Sequence, residues 1–252
     1  MARIAVLCGT GMSAFASHLA STSESESSTL RVDSEWGKVP VTMVSFGEDE
    51  VMVIDRLHSD SDSRTPPHQI EHRANVHAAV SCLPNLILSI NSVGSMREDL
   101  PPGTIGVAAD VLDLAERPWT FHDEHATHAD RTSCFDSQAS ETCTGVLHSI
   151  QGQVAGNLVV AQCVGPQFET PSEIDALERL GADVVGMTLG PESRLVAEHR
   201  FAHAALACSS NWAAGRTPDS PEAEIDHDAV NEMAASMRES VAECVKALLS
   251  SW

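Results

Sequence analysis

The stretch Arg3-Ile4-Ala5-Val6-Leu7-Cys8-Gly9-Thr10-Gly11, close to the start of the chain, decides the fold. Its apolar part predicts a short strand, and the residues after the glycines, Met12 to Leu19, have the spacing of a helix. A strand, a tight glycine turn and a helix in direct succession predict an α/β protein. Ligands of such proteins bind at the carboxyl ends of strands. Gly9-Thr10-Gly11 is therefore a candidate binding loop.

This glycine turn has two interpretations. As an anion-binding loop, it would hold phosphate with backbone N–H groups, a helix N-terminus and the Thr10 hydroxyl. Alternatively, Gly9 to Ala14 matches the dinucleotide pattern G-x-G-x-x-A, which predicts a nicotinamide-dependent oxidoreductase. That pattern needs a second parallel strand ending in an acidic residue about 20 positions on. Here that distance falls beside Ser21–Thr29, a Ser/Glu run that predicts a solvated loop. We favour the anion loop and keep the oxidoreductase as an alternative.

Further apolar and periodic segments alternate along the chain. Strands are predicted at Val39–Phe46, Glu50–Leu57, Leu86–Ile90, Leu158–Cys163, Asp183–Met187 and His203–Cys208. Helices are predicted at Gln69–Leu83, Ser172–Leu180, Glu192–Arg200 and His227–Leu249. The first two of these strands read as neighbours across a Gly47–Asp49 turn, and Ser59–Ser63 reads as a loop. The alternation predicts an α/β fold, a single domain over residues 1–252 with a central mixed β-sheet flanked by helices.

The charge of the chain excludes several classes of partner. The formal net charge is −21, and Lys38 and Lys246 are its two lysines, so we expect neither nucleic acid nor an anionic membrane as a partner. No apolar run approaches the roughly 20 residues of a membrane span. The N-terminus lacks the pattern of a signal peptide, and the seven cysteines show no CxxC spacing, so we expect a cytoplasmic protein with reduced thiols. An anionic substrate must then be captured by a local cluster of donors.

Candidate site residues follow the predicted strands. Arg56 and His58 could present a guanidinium and an imidazole to phosphate. Thr188 could add a hydroxyl, and the amide of Asn211 could read a donor and an acceptor on a base. Each of these residues also fits an ordinary turn or surface position.

Three histidines at a spacing of three, His122, His125 and His128, suggest a metal-dependent hydrolase as a second alternative. The neighbouring Arg117-Pro118 and the mixed polar sequence instead predict a loop. Because the sequence does not specify a further ligand or an open coordination position, we expect no metal.

Taken in order, several motifs resemble the trimeric family of purine nucleoside phosphorylases and methylthioadenosine phosphorylases. They are Gly9–Gly11, Val32–Gly37, Pro66–His68 with Arg73–Asn75, Asn91–Ser95, Gly165–Thr170 and Gly181–Thr188. The Pro-Pro-His segment and Asn211–Gly215 are most similar to the methylthioinosine phosphorylase branch.

The resemblance implies a nucleoside phosphorylase-like fold and the phosphorolysis of purine nucleosides, with 6-oxopurines such as inosine and guanosine preferred. Methylthioinosine and methylthioadenosine are the alternative substrates. Inorganic phosphate is the co-substrate, and no cofactor is implied. A homotrimer is implied, in which His128 reaches the neighbouring subunit's pocket.

The resemblance also implies a set of site residues. Phosphate contacts would come from Thr10, Arg56, His58, Asn91, Ser92 and Thr188. The nucleoside would lie against Phe168, Glu169, Met187, Asn211, Ala213 and His227. Asn211, Glu169 and His58 would carry the chemistry. The segment after Arg56 is longer and more acidic than in these relatives, so either His58 or Arg64 could reach phosphate.

Overall fold

The run Arg3–Cys8 forms the first strand of a mixed sheet in the computed structural model, which describes residues 1–59, 63–114 and 119–252. The strands within these ranges are β1 (Arg3–Cys8), β2 (Ser27–Ser34), β3 (Gly37–Phe46), β4 (Asp49–Asp55), β5 (Leu86–Ser95), β6 (Ile105–Asp113), β7 (Leu158–Gln162), β8 (Val184–Gly186) and β9 (Ala202–Trp212). The helices are α1 (Phe15–Thr22), α2 (His72–Ser81), α3 (Ser137–Gln151), α4 (Pro171–Arg179), α5 (Leu189–His199), α6 (His227–Ser236) and α7 (Arg238–Ser251).

Strand β1 lies at the centre of a parallel unit, with β4 on one side and β5 on the other. Alternate residues of a strand point to opposite faces. Ile4 and Val6 enter one core together with residues of α1, α3 and α7, whereas Ala5 and Leu7 enter a second core with residues of α2 and α5. Burial on both faces explains why this strand is a continuous apolar run.

The sheet closes on itself beyond β5. Its order is β2-β3-β4-β1-β5-β8-β7-β6-β9, and β9 also pairs with β5 in parallel, so the last five strands form a closed ring. This pairing brings the end of β5 beside the end of β9, where Gly94 faces Asn211. The mixed sheet with helices on both faces confirms the predicted fold class.

The hairpin predicted across Gly47–Asp49 is present, since β3 and β4 pair antiparallel. Strand β2 also pairs antiparallel, with β3. The strand that follows α1 is therefore part of a meander and not the second parallel strand of a dinucleotide-binding unit. This topology is against the oxidoreductase alternative.

Two neighbouring predicted segments near the start of the chain have different bounds in the structure. Helix α1 begins at Phe15, three residues later than predicted, because Met12 and Phe15 close two successive turns with their backbone N–H groups. The predicted loop Ser21–Thr29 is partly wrong: α1 continues to Thr22 and β2 begins at Ser27. Most side chains of β2 are exposed, so hydrophobicity could not signal this edge strand.

The predicted C-terminal helix is interrupted. It consists of α6 and α7, which meet at the buried Met237. Strand β6 and helix α3 were not predicted. The buried side of α3 consists of Ala139, Cys143 and Leu147, an apolar stripe too narrow to stand out among polar neighbours.

Residues 60–62 of the predicted loop Ser59–Ser63, and the Arg117-Pro118 dipeptide, lie outside the described residues. Among the described helices, none has the length and apolar character needed to cross a membrane.

Candidate active site

A cavity of about 500 Å³ opens where β1, β4, β5, β8 and β9 end. Nine of the predicted site residues line it: Thr10, Arg56, Ser92, Phe168, Glu169, Met187, Thr188, Asn211 and His227. Four predicted residues are not part of its lining: His58, Asn91, Ala213 and His128. The structure therefore brings residues from both halves of the chain to one site.

Three of the predicted phosphate-binding residues that line this cavity carry hydroxyl groups, namely Thr10, Ser92 and Thr188. The Thr188 hydroxyl donates a hydrogen bond to Oδ1 of Asn91 at 3.1 Å. Asn91 is buried, and its amide nitrogen donates to the Leu206 carbonyl at 3.4 Å. Asn91 thus stands behind the cavity wall and orients Thr188.

Arg56 is buried and its guanidinium is largely occupied by protein acceptors. Nε and Nη2 donate to the two carboxylate oxygens of Glu192, at 2.6 and 3.1 Å, and Nη2 also donates to the Leu7 carbonyl at 2.7 Å. Nη1 donates to the Ile90 carbonyl at 2.8 Å. Of the five guanidinium N–H groups, these bonds leave one, on Nη1, for a ligand.

The side chains of His58 and Arg64 point in different directions. The His58 Nε2–H donates to Oδ1 of Asn75 on α2, at 3.2 Å, away from the cavity lining. Arg64 lines the cavity, where its Nη2 donates to Asp55 at 2.8 Å and to the Gly9 carbonyl at 3.4 Å. The guanidinium of Arg64 is half-exposed and keeps free donors. Of the two alternatives, Arg64 has the better position for an anion.

A bulge between β5 and β9 shapes the part of the cavity that Asn211 lines. Val93 pairs with Ser209 and Gly94 with Asn211, so Ser210 is the extra residue. Bulges of this kind re-aim side chains next to active sites. A side chain at Gly94 would crowd the Asn211 amide, whose nitrogen would be 3.2 Å from an added Cβ. The bulge and the glycine together give Asn211 its place in the cavity wall.

A short chain of hydrogen bonds orients the Asn211 amide. Ser92 donates to the Ser210 hydroxyl at 2.7 Å, and Ser210 donates to Oδ1 of Asn211 at 3.0 Å. Nδ2 of Asn211 donates to the Trp212 carbonyl at 2.8 Å. One N–H and one lone pair of the amide remain, which is one donor and one acceptor for a ligand.

Glu169 adds a carboxyl group to the cavity lining. Burial is the main cause that raises its pKa above the ordinary value, and hydrogen bonds from its own backbone and from the Cys163 thiol oppose this. The thiol is affected in turn: burial and the neighbouring carboxylate raise the pKa of Cys163 to about 12. A partly desolvated carboxyl group has lost hydrogen bonds from water, so a ligand N–H that donates to it is bound favourably.

The remaining wall is formed by Phe168, Met187 and the first turn of α6. Met187 packs on Gly165, where an added Cβ would lie 2.5 Å from the methionine sulfur. His227 and Asp228 are exposed residues that begin α6 at the cavity rim, after the Asp226 carboxylate caps the helix at Ala229. Apolar surfaces with a few polar groups suit a flat, polar-edged ligand.

The glycine turn differs from the predicted anion loop in one respect. The Gly11 N–H donates to Asn231 of α6 at 2.9 Å, and α1 begins four residues further on. The turn therefore presents the Thr10 hydroxyl to the cavity, while the Gly11 N–H and the helix N-terminus do not face an anion there.

The histidine segment lies apart from this cavity. The His122 and His125 rings are 5.1 Å apart, and His128 borders a separate cavity of about 400 Å³ with Arg131 and His203. Among the residues that the structure describes, no three His, Cys, Asp or Glu side chains are grouped as metal ligands.

Ser210, Asp228 and Asn231 are among the polar residues of the lining that sequence reasoning missed. Ser210 enters through the bulge, which local sequence does not signal. Asn231 lies one helical turn after His227, so the spacing of four was the available signal for a shared helix face.

Comparison with known families identifies the class of protein. The family model of the phosphorylase superfamily matches residues 3–250, and the chain belongs to this family. The family predicted from the ordered motifs, and with it the class of enzyme, is confirmed.

Two curated relatives and one solved structure place the chain more closely. It is 34% identical to a probable S-methyl-5′-thioinosine phosphorylase of Methanopyrus kandleri, over 84% of this chain and 82% of the relative. It is 33% identical to a probable 6-oxopurine nucleoside phosphorylase of Thermococcus kodakarensis, over 81% and 78%. The structure of methylthioadenosine phosphorylase from Schistosoma mansoni in complex with adenine superposes with a TM-score of 0.85 at 20% identity, covering 100% of this chain and 91% of that one. The last comparison supports the fold.

Proposed function

We propose that the enzyme cleaves 6-oxopurine nucleosides with inorganic phosphate, giving the free purine and ribose 1-phosphate. A phosphate oxygen forms a bond to C1′ while the bond from C1′ to N9 breaks, and its electron pair moves onto the purine, which takes up a proton. The transition state carries positive charge on the sugar and negative charge on the base. An enzyme accelerates this step by orienting the two substrates and by stabilising those charges.

The observation that carries the proposal is the pair Asn211 and Glu169, which both line the cavity. The free N–H of Asn211 suits the O6 atom of hypoxanthine or guanine, and its free lone pair suits the N7–H of the departing base. The carboxylate of Glu169 suits the N1–H that these bases possess and adenine lacks. A partly buried carboxylate facing adenine would have no donor, which is costly.

On the phosphate side, Thr10, Ser92, Thr188 and Arg64 all line the cavity. Ser92 and Thr188 donate to Ser210 and Asn91, so each must turn its single hydroxyl hydrogen toward phosphate when phosphate binds. Arg56 can add one N–H from Nη1 and otherwise supports the wall through Glu192. Asn91 contributes by orienting Thr188. The chain has a formal net charge of −21, so these local donors must attract phosphate against the overall field.

A homotrimer is part of the same proposal. His128 is exposed and does not line the main cavity of its own chain, which is compatible with a contact to a neighbouring subunit's pocket. Sedimentation of the active enzyme measures its oligomeric state directly. An active monomer would contradict the proposed homotrimer.

Methylthioinosine is the second candidate substrate, because relatives of similar identity carry either name. The difference lies at the ribose 5′ end. His227 at the cavity rim suits a 5′-hydroxyl, since an imidazole can hydrogen-bond it, whereas an apolar residue would suit a methylthio group better.

The test is phosphate-dependent release of base from inosine, guanosine, adenosine, methylthioinosine and methylthioadenosine. We expect the highest kcat/KM with inosine or guanosine. A higher value for methylthioinosine would favour the second candidate, and higher values for the two adenine nucleosides would refute the roles of Asn211 and Glu169.

A further inference from the structure

Gly11 is held from three directions by the C-terminal helices. Its N–H donates to Oδ1 of Asn231 on α6 at 2.9 Å, and its carbonyl accepts from Nε of Arg238, the first residue of α7, at 2.7 Å. Its φ is +73°, and an added Cβ would collide with Ala234 and lie 2.6 Å from the Ala235 nitrogen. Glycine is required here for both conformation and space.

The residues that hold Gly11 share one helix face with residues of the cavity wall. Asn231 and His227 are four positions apart on α6, which places them one above the other on the same side. Both line the cavity, as does Thr10, the neighbour of Gly11. Asn231 is therefore bonded to the residue next to Thr10 and shares a helix face with His227.

We propose that Asn231 is a positioning residue that couples the phosphate subsite, at Thr10, to the subsite for the ribose 5′-hydroxyl, at His227. This inference rests on the proposed function. When phosphate orders Thr10 and Gly11, the hydrogen bond to Asn231 fixes the first turn of α6, and with it His227. By linkage, a nucleoside with a 5′-hydroxyl must then strengthen the binding of phosphate by the same factor.

Inorganic sulfate serves as an unreactive substitute for phosphate in the first measurement. Inosine is titrated calorimetrically into the wild-type enzyme with and without sulfate, and we expect sulfate to tighten binding by about fivefold or more. The same pair of titrations with 5′-deoxyinosine should show little change, because that nucleoside has no hydroxyl for His227.

Three variants separate the contact from general effects on α6. Asn231→Ala should reduce the effect of sulfate on inosine below about twofold and raise the KM values of phosphate and inosine more than it lowers kcat. Asn231→Asp keeps an acceptor for the Gly11 N–H, so the coupling factor should persist while its charge raises the KM of phosphate. Glu232→Ala is the matched control, since Glu232 is the exposed next residue and lies outside the cavity lining.

Alanine favours a helix more than asparagine does, so Asn231→Ala should retain α6. If its melting temperature is nevertheless far below that of the wild type, Asn231→Leu removes the same acceptor with a side chain of similar size and good helix propensity, and it should show the same loss of coupling. An active wild type without a sulfate effect, or with an effect that is unchanged in Asn231→Ala, or in Asn231→Leu in that case, would overturn the inference alone. A wild type that releases no base from any of the five nucleosides would overturn the proposed function, and the inference with it.

Discussion

At the scale of single residues, Arg56 is buried and Arg64 is half-exposed. Replacing Arg56 should therefore lower the stability of the protein, whereas replacing Arg64 should weaken the binding of phosphate. Arg56→Ala leaves Glu192, which is fully buried, without its cation. Breaking such a pair destabilises a protein by about 3–5 kcal/mol. Arg64→Ala removes an exposed guanidinium, whose ion pair with Asp55 contributes at most about 1 kcal/mol, but it should raise the KM of phosphate about tenfold.

Urea unfolding and phosphate kinetics of the two variants distinguish these effects, with Arg31→Ala as a control at an exposed position outside the cavity lining. If Arg56→Ala leaves the stability unchanged and raises only the KM of phosphate, then Arg56 and not Arg64 is the principal phosphate contact.

Asn211→Asp tests the base-reading role of the amide. A carboxylate at this position lacks the N–H for O6 and repels it, but it can accept from a 6-amino group and from N7–H. We expect kcat/KM for inosine to fall by about 10² or more and the ratio of adenosine to inosine to rise. Ser210→Ala, which removes the hydroxyl that orients the amide, should reduce both substrates by smaller and similar factors. Unchanged preference in Asn211→Asp would place the base elsewhere.

Residues of the candidate site could be predicted from the sequence where they lie at the end of a predicted strand. Thr10, Thr188 and Asn211 were found because strand ends converge in a parallel sheet. His58 was expected to reach phosphate, and the structure instead pairs its imidazole with Asn75. The direction of a side chain depends on a partner 17 positions away, which local pattern does not contain.

At the scale of elements, Gly11→Ala tests the seating of the C-terminal helices on the glycine turn. The substitution combines a left-handed backbone with a collision against Ala234 and Ala235, so α6 must move. We expect a loss of stability of roughly 2 kcal/mol or more together with raised KM values for both substrates. Gly47→Ala is the matched control, because Gly47 also has a positive φ but open space around it. Equal losses in the two variants would mean that conformation alone, and not the contact with α6, requires glycine at position 11.

Whether a strand or helix could be predicted from the sequence depends on how much of it is buried. Strands β1, β5 and β9 were recognised from continuous apolar runs, because both of their faces are covered. The exposed edge strand β2 and the narrow stripe of α3 carry too little hydrophobic signal. The ring closure between β5 and β9 is a long-range pairing, which no local pattern specifies.

At the scale of the whole molecule, a buried histidine links stability to pH. His203 is buried, and burial, reinforced by Arg131 and Arg56, lowers its pKa to about 3. It is therefore neutral in the folded protein, where its Nε2–H donates to the Ser89 hydroxyl at 2.9 Å, and Ser89 donates to Glu192 at 2.7 Å. In the unfolded chain the same imidazole has a pKa of about 6.5.

Between these two values the unfolded state binds more protons than the folded state, so the free energy of unfolding rises with pH. The contribution of His203 is complete above about pH 6.5 and is lost as the pH falls toward about 3, by at most roughly 1.4 kcal/mol per pH unit. Asp99 and His199 also have lowered pKa values and act in the same direction, so the wild-type curve alone does not isolate His203.

His203→Gln isolates it, because the glutamine amide can donate to Ser89 in place of Nε2 and does not titrate. Urea unfolding of both proteins from pH 7.5 to 4.5 gives the difference in free energy of unfolding at each pH. We expect this difference to be constant above about pH 6.5 and to shift in favour of the variant at lower pH. A difference that stays constant over the whole range would show that His203 takes up its proton as readily when folded as when unfolded. Since Ser89 and Glu192 connect His203 to Arg56, a fall in activity with the same pH profile would extend the link from stability to the cavity.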